Sequence, residues 1–327
     1  MSHFLRGARV GAALCAALVL NATAAAAETT TWPDKPVTFI IPFPAGGSID
    51  AVMRAISPQL SERLGQTVVI ENVGGASGSI GAGRVAQAKP DGTTLLAGSI
   101  NDVVLQPLVN SHLRYGTDDF EPVSLVFTSP VILVARKDLP QSNIDEVVQA
   151  LRADPESLSY GSPGQGTFQH VVIEDLQRRT ATKMLHAPYK GAAPLVNDLL
   201  GGQIDMAVMA PPTALPHLQQ GRIKSLGVIS GQRLSAYPDL PTINESGAVQ
   251  GMEMTGWVGV LAPKGVPPER LQRVRDALAA VMQTPAVRER VQAMGMESAT
   301  SYSKASFDTR IRDDLSVLRA LNLTIQP

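Results

Sequence analysis

The most telling part of this sequence is VTFIIPFPAGGSID, residues 37–50. Its first half, VTFIIPF, is a short apolar run rich in β-branched residues, which is typical of a buried strand. In the second half, glycines leave the backbone uncovered just before helical spacing begins at Ile49. A strand that turns directly into a helix indicates an α/β protein. Bare N–H groups at the start of such a helix form an anion site, although a tight turn explains the same residues equally well.

Strand-like and helical segments alternate along the rest of the chain. Further strands are predicted at 67–72, 93–99, 204–210, 223–230 and 256–263, with two strand segments, broken at Ser129-Pro130, over 123–138. Helices are predicted over 49–64, 79–88, 143–153 and 307–318 and around 195–200. Two more are predicted to begin after a cap at Thr167 and at Pro267-Pro268. This order predicts α/β layers with mostly parallel strands, which bind ligands outside the carboxyl ends of the strands.

The first 27 residues have the layout of a secretory signal peptide. Arg6 and Arg9 precede an uncharged apolar run that begins at Val10, and small residues lead to a predicted cleavage site after Ala27. A membrane anchor is the alternative, but the apolar run is shorter than the roughly 20 residues that span a bilayer. Cys15, the only cysteine, lies in this segment. We therefore expect an exported mature protein without disulfides.

Composition limits the functional classes. Cleavage leaves 300 residues with 26 basic and 29 acidic side chains, a net charge of −3. This near-neutral balance without a basic block argues against nucleic-acid binding. A chain of this length forms one large or two ordinary domains.

No catalytic or metal-binding constellation is evident. A Gly-x-Ser-x-Gly elbow is absent from the sequence, and His112, His170, His186 and His217 lack metal-ligand spacing. We therefore expect no enzyme activity, no cofactor and no metal.

Three further strand ends are rich in Gly, Ser and Thr. They are GGASGSIGAG (74–83), AGSIND (97–102) and YGSPGQGTFQH (160–170). The first matches neither a dinucleotide fingerprint nor a P-loop. In the third, Ser162, Thr167 and the backbone of 164–166 would converge on a helix start, where His170 is either a ligand contact or, more often, a packed residue. Such uncharged donors suit a small anion.

Several longer motifs resemble those of one known family. They are WPDKPVTFIIPFPAGGSIDAVMR, GASGSIGAGRVAQAKPDGTTLL, LSYGSPGQGTFQH, HAPYKGAAPLVNDLLGGQIDMAV and GWVGVLAPKGVPPE. On these motifs the chain resembles the solute-binding proteins of tripartite tricarboxylate transporters, also called the Bug family. The resemblance covers nearly the whole predicted mature chain.

The resemblance implies a type II periplasmic-binding-protein-like fold, with two α/β domains and a ligand cleft between them. Domain 1 would combine residues 28–128 and 253–327, and domain 2 would hold residues 129–252. The two segments that cross between the domains and form the hinge would lie near 126–132 and 250–256. The implied function is periplasmic capture of a small carboxylate, such as a dicarboxylate, an aromatic acid or an amino acid, for the permease subunits of a transporter. A monomer is expected. The alternative is a sensor accessory that contacts a periplasmic sensor kinase domain.

The resemblance also implies the ligand-binding residues. The family's first ligand loop is matched here by Phe43, Pro44, Ala45, Gly46, Gly47 and Asp50. The loop of the second domain is matched by Ser162, Gly164, Gly166, Thr167 and His170. Ser99 and Asn101 would face the cleft as neutral hydrogen-bonding groups. Asp205 matches a family aspartate near the site, although a turn or helix cap explains it equally well.

Asp102 departs from the family pattern. In the cleft it would repel a second carboxylate and favour an amino or amide group on the ligand. The alternative, which we favour, is that Asp102 caps the following helix. The apolar segment 206–211 predicts a less polar wall on the other side, so both features weigh against citrate-like ligands.

Overall fold

The computed structural model describes residues 32–321, and the predicted signal peptide, residues 1–27, lies outside them. The strands are β1 (Val37–Ile41), β2 (Val68–Asn72), β3 (Thr94–Ser99), β4 (Phe120–Arg136), β5 (Ser159–Ser162), β6 (Leu185–Pro188), β7 (Met206–Met209), β8 (Ile223–Ile229), β9 (Thr255–Pro263) and β10 (Glu297–Ser298). The helices are α1 (Ser48–Leu64), α2 (Ser79–Ala86), α3 (Gln106–Val109), α4 (Ile144–Ala153), α5 (Phe168–Thr180), α6 (Ala192–Leu200), α7 (Pro211–Gln219), α8 (Pro268–Met282), α9 (Pro285–Ala293) and α10 (Lys304–Ala320).

Two parallel triplets of strands lie at the ends of the strand order β2-β1-β3-β9-β4-β7-β5-β6. In one triplet β1 pairs in parallel with β2 and β3, and in the other β5 pairs in parallel with β6 and β7. Strands β4, β8, β9 and β10 join them by antiparallel pairs. The α/β prediction is confirmed, but the sheets are mixed rather than mostly parallel.

Strand β4 belongs to both sheets. Up to Pro130 it pairs with β9 and β10, and from Val131 onward it pairs with β7 and β8. We call β1, β2, β3, β9, β10 and the first part of β4 the first sheet, and the other strands the second sheet. The predicted break at Ser129-Pro130 is wrong, because β4 runs through it. Pro130 lies where the partners change, so its missing N–H interrupts neither ladder.

The first sheet is buried between helices. Phe39, Ile40 and Ile41 of β1 are fully buried, which explains why this strand is apolar without alternation. Helix α1 turns Met53, Ile56 and other apolar residues inward. Each such side chain contributes about 1.5–3 kcal/mol when it is fully buried. No helix among residues 32–321 combines the length and apolar character that a membrane crossing requires.

Candidate functional site

The first candidate loop lies between β1 and α1. Residues 44–47 are exposed, and Gly46 has φ +88, a conformation that side chains with a Cβ adopt only with strain. Gly47 is the N-cap residue of the 17-residue helix α1, and because glycine has no side chain, no side-chain hydrogen bond caps the helix here. The Ser48 hydroxyl has no hydrogen-bond partner among the described residues, so this end of α1 presents open donors and the positive pole of the helix.

Asp50 supports the backbone of this loop. It is buried, and its Oδ2 accepts the Gly46 N–H at 3.0 Å while its Oδ1 accepts Arg54 Nε at 2.8 Å. Burial acts to raise the pKa of Asp50, but the hydrogen bonds from Gly46, Asn72 and Arg54 outweigh it and lower the pKa. Both carboxylate oxygens are engaged, so Asp50 supports the loop, and its contact with a ligand stays a prediction.

Phe43 joins this loop to its neighbours. Its carbonyl accepts a hydrogen bond from Asn72 Nδ2 at 3.1 Å. A Cβ built on Gly78 would lie 3.0 Å from both the Phe43 ring and the Asp102 Cβ, so these three residues are packed together. The loops after β1, β2 and β3 therefore meet at the carboxyl edge of the first sheet.

After β3, Ser99 and Asp102 form a closed unit. The backbone N–H and the hydroxyl of Ser99 donate to Asp102 Oδ1 at 2.9 and 2.6 Å. Asp102 is fully buried, and its Oδ2 has no hydrogen-bond partner among the described residues. Burial raises the pKa of Asp102 to about 7 despite the bonds from Ser99. Asp102 thus bonds back to Ser99, two residues before the helical segment Asn101–Leu105, and the Ser99 hydroxyl is already committed.

The second candidate loop follows β5 and leads into α5. Gly164 and Gly166 have φ +157 and +72. The Gly164 carbonyl accepts the hydroxyls of Ser162 at 3.0 Å and Thr167 at 2.7 Å. Thr167 is the N-cap residue of α5, as predicted, but its hydroxyl donates to Gly164 and does not cap the helix. The side chains of this loop therefore hold its own backbone.

Two histidines lie stacked behind the second loop. The rings of His170 and His186 are 4.2 Å apart and nearly parallel, and His186 also stacks on Tyr160 at 4.7 Å. His170 Nδ1 accepts the Gly166 N–H at 3.1 Å, and His186 Nε2 lies 2.7 Å from the Ser162 hydroxyl. His170 is a buried loop support, which is the more common alternative for such a histidine.

Both histidines are held in the neutral form. Burial lowers the pKa of His170, although the nearby Glu174 opposes this shift. Burial, with a smaller contribution from His170, lowers the pKa of His186 to about 4. The role of His186 has no signal in the sequence, because it depends on the pairing of β5 with β6, which sets Tyr160 opposite His186.

The loops of the two sheets meet at two points. Asn101 Oδ1 accepts the backbone N–H of Phe168, the first residue of α5, at 2.7 Å. A Cβ on Gly164 would lie 3.5 Å from Ser77 Oγ, so the loop after β2 also reaches the second loop. Ala76 and Ser77 have φ +47 and +54, a strained conformation that costs about 1–3 kcal/mol for each residue. The structure therefore brings together the predicted loops of both halves.

Asp205 does not join these loops. Its Oδ2 accepts the N–H and hydroxyl of Ser159, both at 2.8 Å, and its Oδ1 accepts Arg136 Nε at 3.0 Å. Ser159 begins β5 and Asp205 precedes β7, whereas the candidate loop follows the carboxyl end of β5 at Ser162. Asp205 thus lies at the opposite edge of the second sheet. This geometry favours the turn or helix cap, the alternative given above for Asp205, over a ligand contact.

The chemistry of the site is that of neutral donors. Residues 32–321 hold no group of three or more His, Cys, Asp or Glu side chains that could bind a metal. The donors with the best access are the backbone and hydroxyl groups at the start of α1, and a helix start of this kind binds carboxylates.

Comparisons with known proteins show which family this chain resembles in sequence and fold. The model of the tripartite tricarboxylate transporter family receptor matches residues 52–320. A protein from the tcbD-tcbE intergenic region of Pseudomonas sp. strain P51 is 35% identical over 292 residues, which are 89% of this chain and 86% of the relative. The solved structure of the periplasmic binding protein BugD is 32% identical, with a TM-score of 0.79 over 89% of this chain and 97% of BugD.

Two further solved structures contain ligands. Rpa4515 of R. palustris with adipate is 30% identical, with a TM-score of 0.82 over 89% of this chain and 97% of that one. MatC (Rpa3494) of Rhodopseudomonas palustris with bound malate is 28% identical, with a TM-score of 0.81 over 89% of this chain and 99% of that one. These likenesses confirm the two-domain, periplasmic-binding-protein-like fold that the sequence motifs implied.

Proposed function

Because the chain belongs to the receptors of the tripartite tricarboxylate transporter family, we propose that it captures a small carboxylate between the loops that follow β1, β3 and β5. The family consists of periplasmic solute-binding receptors that work with membrane transporter components, not of enzymes. The observation that carries the proposal is the open N-terminus of α1 beside the exposed residues 44–47.

The physical basis is the positive end of a long helix. Its unpaired N–H groups and macrodipole favour an anion, and a hydrogen bond to a charged group contributes about 1.5–3 kcal/mol. Asp50 does not oppose this, because Gly46 and Arg54 already satisfy its carboxylate. A ligand carboxylate would contact the donors of Gly47 and Ser48.

The buried state of Asp102 removes the objection to a second carboxylate on the ligand. Since Asp102 is fully buried and bonded to Ser99, it gives no reason to exclude a second carboxylate on the ligand. Relatives that contain adipate and malate support the same class. We therefore infer a small dicarboxylate in preference to an amino acid or an aromatic acid.

Capture would involve movement between the two predicted domains. The change of β4 partners between Pro130 and Val131 and the start of β9 at Thr255 support crossings near 126–132 and 250–256. Permease subunits would receive the ligand. We infer a monomer, because two domains that open and close must move freely. Nothing among these relatives supports the sensor-accessory alternative, so transport is the function we propose.

The test is a thermal-shift and calorimetry series on residues 28–327 with malate, adipate, aromatic acids and amino acids. A ligand at 100 times its Kd stabilises by about 2.7 kcal/mol, which raises the Tm of a chain of this length by about 4 °C. The proposal is overturned if no carboxylate raises the Tm and mass spectrometry finds none in the purified protein.

The matched variants are Gly47→Val and Gly116→Val. Both glycines are N-cap residues with extended backbone, and a Cβ meets nothing closer than 3.8 Å at Gly47 and nothing within 4 Å at Gly116. Gly47→Val is preferable to a change at Gly46, where φ +88 would strain any larger residue. We expect Gly47→Val to abolish calorimetric binding and Gly116→Val to preserve it. Equal affinity in both variants would refute the placement of the site.

A further inference from the structure

Asn101 makes a hydrogen bond that joins the two sheets. It follows β3 of the first sheet, whereas its partner Phe168 begins α5, after β5 of the second sheet. The bond from the Phe168 N–H to Asn101 Oδ1 is 2.7 Å long and links residues 67 positions apart. It therefore holds together the loop after β3 and the start of α5, which must move apart when a cleft between the two sheets opens.

The bond also satisfies the first donor of α5, the Phe168 N–H. The first N–H groups of a helix have no partner inside the helix. Near α5, His170 takes the Gly166 N–H and the Gly164 carbonyl takes the Thr167 N–H, while the Thr167 hydroxyl makes no cap. Asn101 thus supplies from the other sheet the cap that Thr167 does not supply.

The same bond fixes the orientation of the Asn101 amide. A backbone N–H can only donate, so the accepting atom is the amide oxygen and not the nitrogen. The two N–H bonds of Asn101 Nδ2 then have no partner among the described residues. Asn101 is partly exposed, unlike its neighbour Asp102, so a ligand can reach this group.

A second contact at the same place supports the link. Ser77, in a strained left-handed conformation, lies against Gly164. Backbone strain of this kind persists only where surrounding contacts hold it, and it is concentrated at ligand clamps. The α5 loop is therefore held from the first sheet on two sides.

We propose that Asn101 is a positioning residue that couples ligand capture to closure. Its amide oxygen holds the α5 loop against the first sheet, and this bond presents its amide nitrogen to an acceptor on the ligand. The second statement rests on the proposed function, whereas the first does not depend on any ligand.

Two substitutions separate the two roles. Asn101→Ala removes both the oxygen and the nitrogen. Asn101→Asp keeps an acceptor for Phe168 at the same position, but it removes the donors and adds a negative charge. Asn197→Ala, an exposed asparagine on α6, is the matched control. Thermal denaturation first establishes that each variant folds.

The closure experiment uses the ligand-free protein. Amide hydrogen exchange at Phe168 measures the bond, and the radius of gyration from small-angle X-ray scattering measures opening. We expect Asn101→Ala to exchange about 3–10 times faster at Phe168 and to expand, because one hydrogen bond of ordinary strength is lost. Asn101→Asp and Asn197→Ala should match the wild type. Unchanged exchange and size in Asn101→Ala would overturn the closure role.

The ligand experiment uses malate and adipate as probes in calorimetry. We expect Asn101→Asp to lose at least about 10-fold in affinity while Phe168 stays protected, since its donors are replaced by a repelling charge. Wild-type affinity in Asn101→Asp would overturn the donor role. If the wild type binds neither probe nor any other carboxylate, the proposed function and the donor role both fail, and the exchange experiment still decides the closure role.

Discussion

The neutral histidine pair behind the second loop makes the stability of the protein depend on pH. His186 lies between Tyr160 and His170, and burial lowers its pKa from 6.5 to about 4. We consider the substitution His186→Phe, which keeps a flat ring in the stack but removes the titrating nitrogens. The Ser162 hydroxyl keeps the Gly164 carbonyl as its partner in this variant.

The direction of the effect follows from the two pKa values. Between pH 6.5 and about 4, His186 binds a proton in the unfolded chain and not in the folded protein. The stability that it contributes is therefore complete above pH 6.5 and is lost as the pH falls toward 4. At pH 5, the difference between the pKa of 6.5 in the unfolded chain and the pKa of about 4 in the folded protein lowers the free energy of unfolding by about 2 kcal/mol. Partial exposure of the side chain reduces this to about 1–2 kcal/mol through solvent screening.

The assay is urea denaturation of the wild type and His186→Phe at pH 7 and pH 5, with the exposed His112→Phe as control. Comparison with the wild type cancels the titration of all other groups. We expect the wild type to lose about 1–2 kcal/mol more than His186→Phe between the two pH values. If both proteins lose the same free energy of unfolding, the neutral stacked state of His186 is refuted.

Two further substitutions test how the buried carboxylates are assigned. Burial raises the pKa of Asp102 from 3.8 to about 7, so the stability from its protonated form is complete only below pH 3.8 and is lost progressively as the pH rises from 3.8 through 7. Asp102→Asn should therefore raise the free energy of unfolding by at least about 1 kcal/mol more at pH 8 than at pH 5. A pH-independent difference in urea denaturation would contradict this. Asp205→Ala should lower stability by about 1–3 kcal/mol, because Ser159 and Arg136 lose their acceptor, yet leave the calorimetric affinity for a carboxylate unchanged. A tenfold loss of affinity would return Asp205 to the site.

The helices, strands and turns that the sequence predicted best are those whose pattern lies within a short stretch of the chain. Strand β1, the glycine turn and α1 follow one another within 28 residues, and each has its own pattern of apolar spacing or glycine. Strand β4 was harder, because Pro130 looks like a break when the chain is considered alone. Its position between two sets of partners becomes visible only when β7, β8, β9 and β10 are placed.

The candidate site shows the same limit. The polar residues Asp50, Ser99 and Thr167 lie in the loops where the sequence indicated them, but the sequence does not say which partner each one takes. Asp50 and Thr167 bond within their own loops, so they are supports and not free groups. His186 escaped notice because its partners come from β5 and α5. Asp205 was already placed at the start of a strand, but the sequence does not show that Ser159 and Arg136 are its partners.

The two donor loops are not equivalent, and this difference predicts where affinity originates. At α5, protein acceptors already take the N–H groups of Gly166, Thr167 and Phe168, so a carboxylate competes there with existing bonds for these three donors and gains less from them. At α1, the donors near Ser48 have no such competitors. We therefore expect Ser162→Ala, which loosens the second loop, to weaken carboxylate binding less than about 10-fold, whereas Gly47→Val abolishes it. A larger loss in Ser162→Ala than in Gly47→Val, measured by calorimetry with the same carboxylate, would move the main anion site from α1 to α5.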